Sequence, residues 1–172
     1  MVNLTLPTPG TSSGAWGTII NQAFTDLNNG KADIANVVPS IAAPWTAYTP
    51  SWTSLGTAPA LGNGTAVGYY NPIGKTVDFR FTLTFGSTST FGTGNYYFSL
   101  PILAAAGYSL FQPFGWAIGT PAGARNNGVA VLNSTSNIQV MQPGGASMWA
   151  PTFPSTWASG NYIQITGRYE IA

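Results

Sequence analysis

The chain has 172 residues, enough for one domain with an appendage and a real hydrophobic core. Its apolar fraction, 44%, is ordinary, but only 5% of residues are charged, against about 25% in a typical soluble domain. The five basic residues, Lys31, Lys75, Arg80, Arg125 and Arg168, are spread along the chain and form no phosphate-neutralising stripe, which excludes DNA and RNA as expected partners.

A surface made of Ser, Thr, Asn, Gln and backbone responds little to salt and lacks the charge repulsion that keeps monomers apart, which suits a subunit that packs against others. With no cysteine, there is neither a disulfide framework nor a thiolate site. The opening residues, Met1 to Pro7, lack the basic and apolar regions of a secretory signal, so export by that route is not expected. The most apolar stretch, Leu100 to Phe111, is too short and too interrupted by Gly and Ser to span a bilayer of about 30 Å, so no membrane insertion is expected.

Residues 1 to 12 read as an extended arm, because Pro7, Pro9 and Gly10 exclude a helix. Ser12 and Ser13 offer an N-cap. Trp16, Ile19, Ile20, Ala23, Phe24 and Leu27 then fall on one face of a helix, and Asn28-Asn29-Gly30 stops it. Such a helix is about 22 Å long and marginal alone in water. Its stripe, Trp16, Ile19, Ile20, Phe24 and Leu27, must dock on something. Packing on the chain's own β domain is one option, but Lys31 to Ala43 reads as a loose linker, so contacts with other subunits, either copies of the chain or a scaffold, are the favoured reading. Residues 1–43 are thus read as arm, helix and linker for attachment.

From Pro44 the character changes: Thr, Ser, Gly and aromatics alternate and helical periodicity disappears. Thr46 to Thr53 is an extended opening segment interrupted by Pro50. Thr65 to Tyr70 and Lys75 to Phe85 flank Asn71-Pro72-Ile73-Gly74, which is hairpin punctuation. In the second arm Val77, Phe79, Phe81, Leu83 and Phe85 face one way, and Asp78, Arg80, Thr82 and Thr84 the other. Further strands are expected near 95–100, 112–118, 129–133, 137–142 and 161–171. In the last, Ile163, Ile165, Tyr169 and Ile171 share a face, with Gly167 as a bulge. The expected fold class is therefore mainly β. An antiparallel β-sandwich or jelly-roll domain over 44–172 follows the arm and one short amphipathic helix.

Catalytic chemistry is missing from the inventory. There is no histidine, hence neither the commonest general base nor the commonest metal ligand, and without Cys the usual zinc sites are also excluded. The β region holds two acids, Asp78 and Glu170, two residues from Arg80 and Arg168 respectively. Residues two apart on a strand share a face, so the plain reading is same-face charge contacts on the sheet surface. No phosphate loop and no calcium loop fits. No catalytic, cofactor-binding or metal-ligating residue is assigned, and the chain is read as a non-enzyme.

What remains is a binding surface. Residues 141–161 form a long irregular stretch carrying Met148, Trp149, Phe153 and Trp157, a candidate external binding loop, since large aromatics among small polar residues suit sugar faces and adaptable protein contacts. The same loop could equally fold over the core or against a neighbouring subunit. For Tyr108, Phe111, Phe114 and Trp116 core packing is the stronger reading.

Two segments resemble known proteins. Leu6-Pro7-Thr8-Pro9-Gly10 through Trp16-Gly17-Thr18-Ile19-Ile20-Asn21 resembles the LPxPG…WGTxxN start of tail-fibre and related appendage proteins of tailed bacteriophages. Tyr48-Thr49-Pro50-Ser51-Trp52-Thr53, Leu61-Gly62-Asn63-Gly64-Thr65, Tyr69-Tyr70 and Gly74-Lys75-Thr76-Val77, continued by Phe91 to Pro101, are similar to a β module of phage minor tail and surface proteins. The resemblance implies a virion surface protein made in the host cytoplasm, attached by its N-terminus to other virion proteins. It further implies a homotrimer with its β domain pointing outward, contacting a host-surface glycan or protein. A tail appendage and a capsid decoration or head-fibre protein gripping the major capsid protein are both compatible with it.

Overall fold

The computed structural model describes residues 21–22, 24–25, 44–107, 113–145 and 147–171. The chain divides into two compact units, Met1–Ala43 and Pro44–Ala172. In the first, Asn21, Gln22, Phe24 and Thr25 are helical, and the Thr25 hydroxyl donates to the Asn21 carbonyl at 2.9 Å. Phe24 of the expected stripe is exposed; Trp16, Ile19, Ile20 and Leu27 lie outside the described residues.

The second unit is a single antiparallel sheet. Its strands are β1 (Thr46–Tyr48), β2 (Trp52–Ser54), β3 (Thr65–Ile73), β4 (Thr76–Thr84), β5 (Tyr96–Ser99), β6 (Pro113–Gly119), β7 (Asn126–Leu132), β8 (Asn137–Met141) and β9 (Tyr162–Glu170). Their order is β1-β3-β4-β9-β6-β7-β8-β5-β2. The two edge strands, β1 and β2, are consecutive in sequence and joined through Thr49-Pro50-Ser51. A sheet whose opposite edges are tied by three residues must curl until those edges meet. Pro50, which cannot donate to a ladder, stands where the chain passes from one edge to the other.

The curl brings distant strands face to face. The Phe81 ring of β4 lies 5.7 Å from Phe98 of β5, and Trp52 of β2 lies 4.9 Å from Phe85, just beyond β4. Between the two halves sit Val77, Phe79, Phe81, Leu83 and Phe85 together with Ile163, Ile165 and Tyr169 of β9 and Ile138 and Val140 of β8, all buried. The alternation read along 75–85 is thus the alternation observed. The β3–β4 hairpin is tighter than its punctuation implies. Asn71 and Pro72 continue β3, Ile73 pairs with Thr76, and Gly74 at φ +60° makes the turn with Lys75. Pro72 is tolerated because β1 pairs only with Gly68–Tyr70, leaving that end of β3 as an edge.

One local expectation needs correcting. Gly167 does not bulge; it pairs in register with Phe79 on one side and Gly115 on the other. The irregularity is in β6, between Pro113 and Gly115. A Cβ on Gly167 would come within 3.0 Å of the Phe79 ring and 2.9 Å of the Phe114 carbonyl. The glycine is there for close packing.

Candidate binding surface

Trp149 and Trp157 of the expected external loop are in the core, which corrects that assignment. Trp149 is 0% exposed and Trp157 2%. The reason lies in the backbone: Trp149 N–H donates to the Val140 carbonyl at 2.8 Å, and the Trp149 carbonyl accepts from Tyr96 N–H at 2.9 Å. Residue 149 is therefore a rung between β8 and β5, which pair directly only at Phe98–Ile138 and Ser99–Asn137. Trp157 packs against it at 5.5 Å, and its indole N–H donates to the Ala150 carbonyl at 2.9 Å. Phe153 is half-buried against the same core. Met148 is half-buried and bridged to Met141.

The two indoles decide which way β6 faces. Gly119 and Gly128 give them room: a Cβ on Gly119 would lie 2.6 Å from Trp157 and 2.8 Å from Trp149, and one on Gly128 would lie 2.9 Å from Trp149. Ala117 and Gly119 therefore point inward, while Trp116 and Ile118 turn outward. Trp116, read from sequence as a core residue, is 66% exposed. Phe114 does join the core, because the irregularity at Pro113–Gly115 reverses the alternation there; its ring lies 5.9 Å from Phe79.

Outside, the register lines up a continuous row. Tyr69 of β3 pairs with Arg80 of β4, Arg80 with Thr166 of β9, Thr166 with Trp116 of β6, Trp116 with Val129 of β7, and Val129 with Met141 of β8. A second row runs Val67, Thr82, Gln164, Ile118. Val67, Tyr69 and Trp116 are exposed, as is Trp45 just before β1. The Arg80 guanidinium stacks 4.7 Å from the Trp45 ring centroid and 5.8 Å from that of Tyr69, which holds a cation against both rings by cation–π attraction.

Beside this row the sheet is dented. Since Phe114 turns inward at the register shift, the outer surface between β9 and β6 has no side chain filling it next to Arg168. The depression measures about 720 Å³, with Trp45 and Trp116 among its walls and the 142–145 turn closing one end. Its polar edge is an ion pair. Arg168 Nε donates to Asp78 Oδ1 at 2.5 Å and Nη2 to Oδ2 at 2.7 Å, a bidentate fork. Those hydrogen bonds hold the Asp78 carboxyl below the usual carboxylate range and raise the guanidinium. The expected same-strand partner of Asp78, Arg80, is not used. Residues directly opposite on antiparallel strands stand closer than residues two apart on one strand, so the cross-strand pair wins.

Sequence reasoning missed Trp45, Tyr69 and Trp116. β6 alternates large and small residues, which signals a strand but leaves its phase open. Among the described residues no group of three or more His, Cys, Asp or Glu could hold a metal, and no helix is long and apolar enough to cross a membrane. Comparison with known proteins returned nothing: no family model, no curated protein and no solved structure matches the chain.

Proposed function

We propose that this chain is a non-catalytic bacteriophage virion protein, a tail appendage or minor tail protein that sits on the particle surface as a homotrimer. Residues 1–43 attach it to other virion proteins, and the β unit meets the host surface. The observation that carries this reading is the open outer row of Tyr69, Arg80, Thr166 and Trp116, in which two exposed aromatics flank a cation and a hydroxyl on a charge-poor body. Exposed aromatics set beside an Arg are what contact sites are enriched in. The resemblance of the Leu6–Asn21 and Tyr48–Val77 motifs to phage appendage proteins supplies the setting.

Quantitative mass spectrometry of purified phage particles tests it. A handful of trimers per particle supports the tail. Scores to hundreds of copies would move the protein to the capsid as a decoration or head-fibre subunit. Particles without the protein would refute the virion role.

A further inference from the structure

Resting on that reading of the outer face, we infer that the depression beside Asp78 and Arg168 is a carbohydrate site taking a neutral pyranose residue of a surface glycan. Three features converge on this class. First, Trp116 and Trp45 both line the depression, and Trp116 is 66% exposed while Trp45 carries Arg80 over one ring face, so indole surface, chiefly that of Trp116, is available for the apolar C–H face of a sugar ring. Second, the polar edge is a donor–acceptor pair held in one plane. Arg168 and Asp78 satisfy one another through one N–H···O bond at each carboxylate oxygen, which leaves further guanidinium N–H groups and carboxylate lone pairs free for a ligand. Neighbouring ring hydroxyls, each both donor and acceptor, match such a fork. Third, the pair neutralises its own charge, so the site favours an uncharged ligand over an anionic one.

The depression is open to solvent along the sheet surface. The floor is backbone and ring, Gly115, Gly167, Phe79 and Phe114, and the volume of about 720 Å³ lies within the range of small-ligand pockets. The glycine floor is fixed by the strand pairing, since a Cβ on Gly115 would meet the Thr166 carbonyl at 2.3 Å.

The test is an array of neutral hexose and N-acetylhexosamine oligosaccharides printed beside sialylated and sulfated ones, probed with the full chain. Tryptophan fluorescence titration of the best neutral binder follows. Binding to neutral glycans is expected, weakened at least tenfold by Trp116→Ala and by Arg168→Met, and unchanged by Val67→Ser in the neighbouring row. Circular dichroism melts check that each variant is folded. Absence of glycan binding, binding confined to the anionic glycans, or binding by Trp116→Ala and Arg168→Met as tight as that of the unaltered chain would overturn the site. So would a finding that Trp116→Ala dissolves an oligomer while no glycan binds, which would make the depression a subunit contact. The array reads the isolated chain. A negative result therefore removes the sugar and leaves the particle measurement untouched, while absence from particles leaves sugar binding standing.

Discussion

Asp78 and Arg168 lie 90 residues apart in sequence and directly opposite each other on β4 and β9, joined by two hydrogen bonds at 2.5 and 2.7 Å. The pair sits where the second strand of the β3–β4 hairpin meets the last strand, so it reports on a long-range strand pairing. It also makes stability depend on acid. The folded-state pKa of Asp78 is lowered below 3.8 by its bonds to Arg168, so the native state binds this proton less readily than the unfolded chain. The resulting stabilisation is fully present above the ordinary carboxylate range and is lost as pH falls through the lower folded pKa. Asp78→Asn should lower the melting temperature at neutral pH by no more than about 4 °C, since the pair is solvent-screened. That difference should begin to narrow near the ordinary carboxylate pKa of about 4 and close only below the lowered folded pKa, as the wild-type carboxylate takes up its proton. An unchanged difference between pH 7 and pH 3, measured by calorimetry, would show that the pair contributes nothing to folding.

Alkaline behaviour follows from Tyr169. Its hydroxyl donates to the Ile102 carbonyl at 2.8 Å and accepts from the Ile102 N–H at 3.2 Å, clasping the segment after β5 onto β9. Burial pushes this phenol from 10.0 up to about 12, and burial moves Tyr48 and Tyr96 in the same direction. Raised folded pKa values mean that the unfolded chain loses its protons first. Stability should thus hold below about pH 10 and fall as pH rises toward about 12. Tyr169→Phe should remove part of that alkaline loss while weakening the clasp at neutral pH by about 1 kcal/mol. Identical alkaline melting profiles for the two proteins would show that Tyr169 is not the group responsible.

Trp149 offers the largest single effect. It is fully buried, hydrogen-bonded through its backbone to both β8 and β5, and walled by Gly119 and Gly128. Trp149→Ala should cost about 3–5 kcal/mol through lost burial and the cavity left behind. Gly119→Ala should cost about 1–3 kcal/mol by forcing a methyl group against both indoles. Urea unfolding followed by circular dichroism measures both. Wild-type stability in Trp149→Ala would return residue 149 to the surface.

What could be read in the sequence divides along a physical line. The strand 75–85 was legible because five apolar residues alternate with polar ones, and that contrast sets phase as well as period. β9 was legible through Ile163, Ile165 and Tyr169 for the same reason. β6 was not, since Phe114, Gly115, Trp116, Ala117, Ile118 and Gly119 contain no polar side chain to mark the outside. Its phase is set by Trp149 and Trp157, which arrive from more than thirty residues later and occupy the inner space. The candidate site was hidden for a related reason. The depression exists because a register shift at Pro113–Gly115 turns Phe114 inward, and no local pattern announces a register shift. The pairing of Asp78 with Arg168 rather than Arg80 likewise depends on which strand lies next to β4, a property of topology alone.

The phase of β6 gives the sharpest contrast between sequence pattern and structure. Alternation of bulky and small residues would place Trp116 inside and Ala117 outside. On that basis Trp116→Ser would unfold the protein and Ala117→Leu would pass unnoticed. The structure reverses both. Trp116 is exposed on the outer row, so Trp116→Ser should change stability by less than about 0.5 kcal/mol, as substitutions at open surface positions do. Ala117 is 1% exposed, facing the core with Gly119 beside it. Ala117→Leu should cost about 1–3 kcal/mol, because the added methylenes have no void to enter and must displace packed aromatic rings. The two variants can be compared by guanidinium unfolding at a single pH. Fluorescence supplies an independent readout, since Trp116 is 66% exposed and Trp45 41%, so removing Trp116 should reduce, though not abolish, the fraction of the signal quenched by acrylamide. Severe destabilisation of Trp116→Ser alongside a tolerated Ala117→Leu would invert β6, bury the row that forms the candidate surface, and remove the aromatic wall on which the proposed sugar site depends.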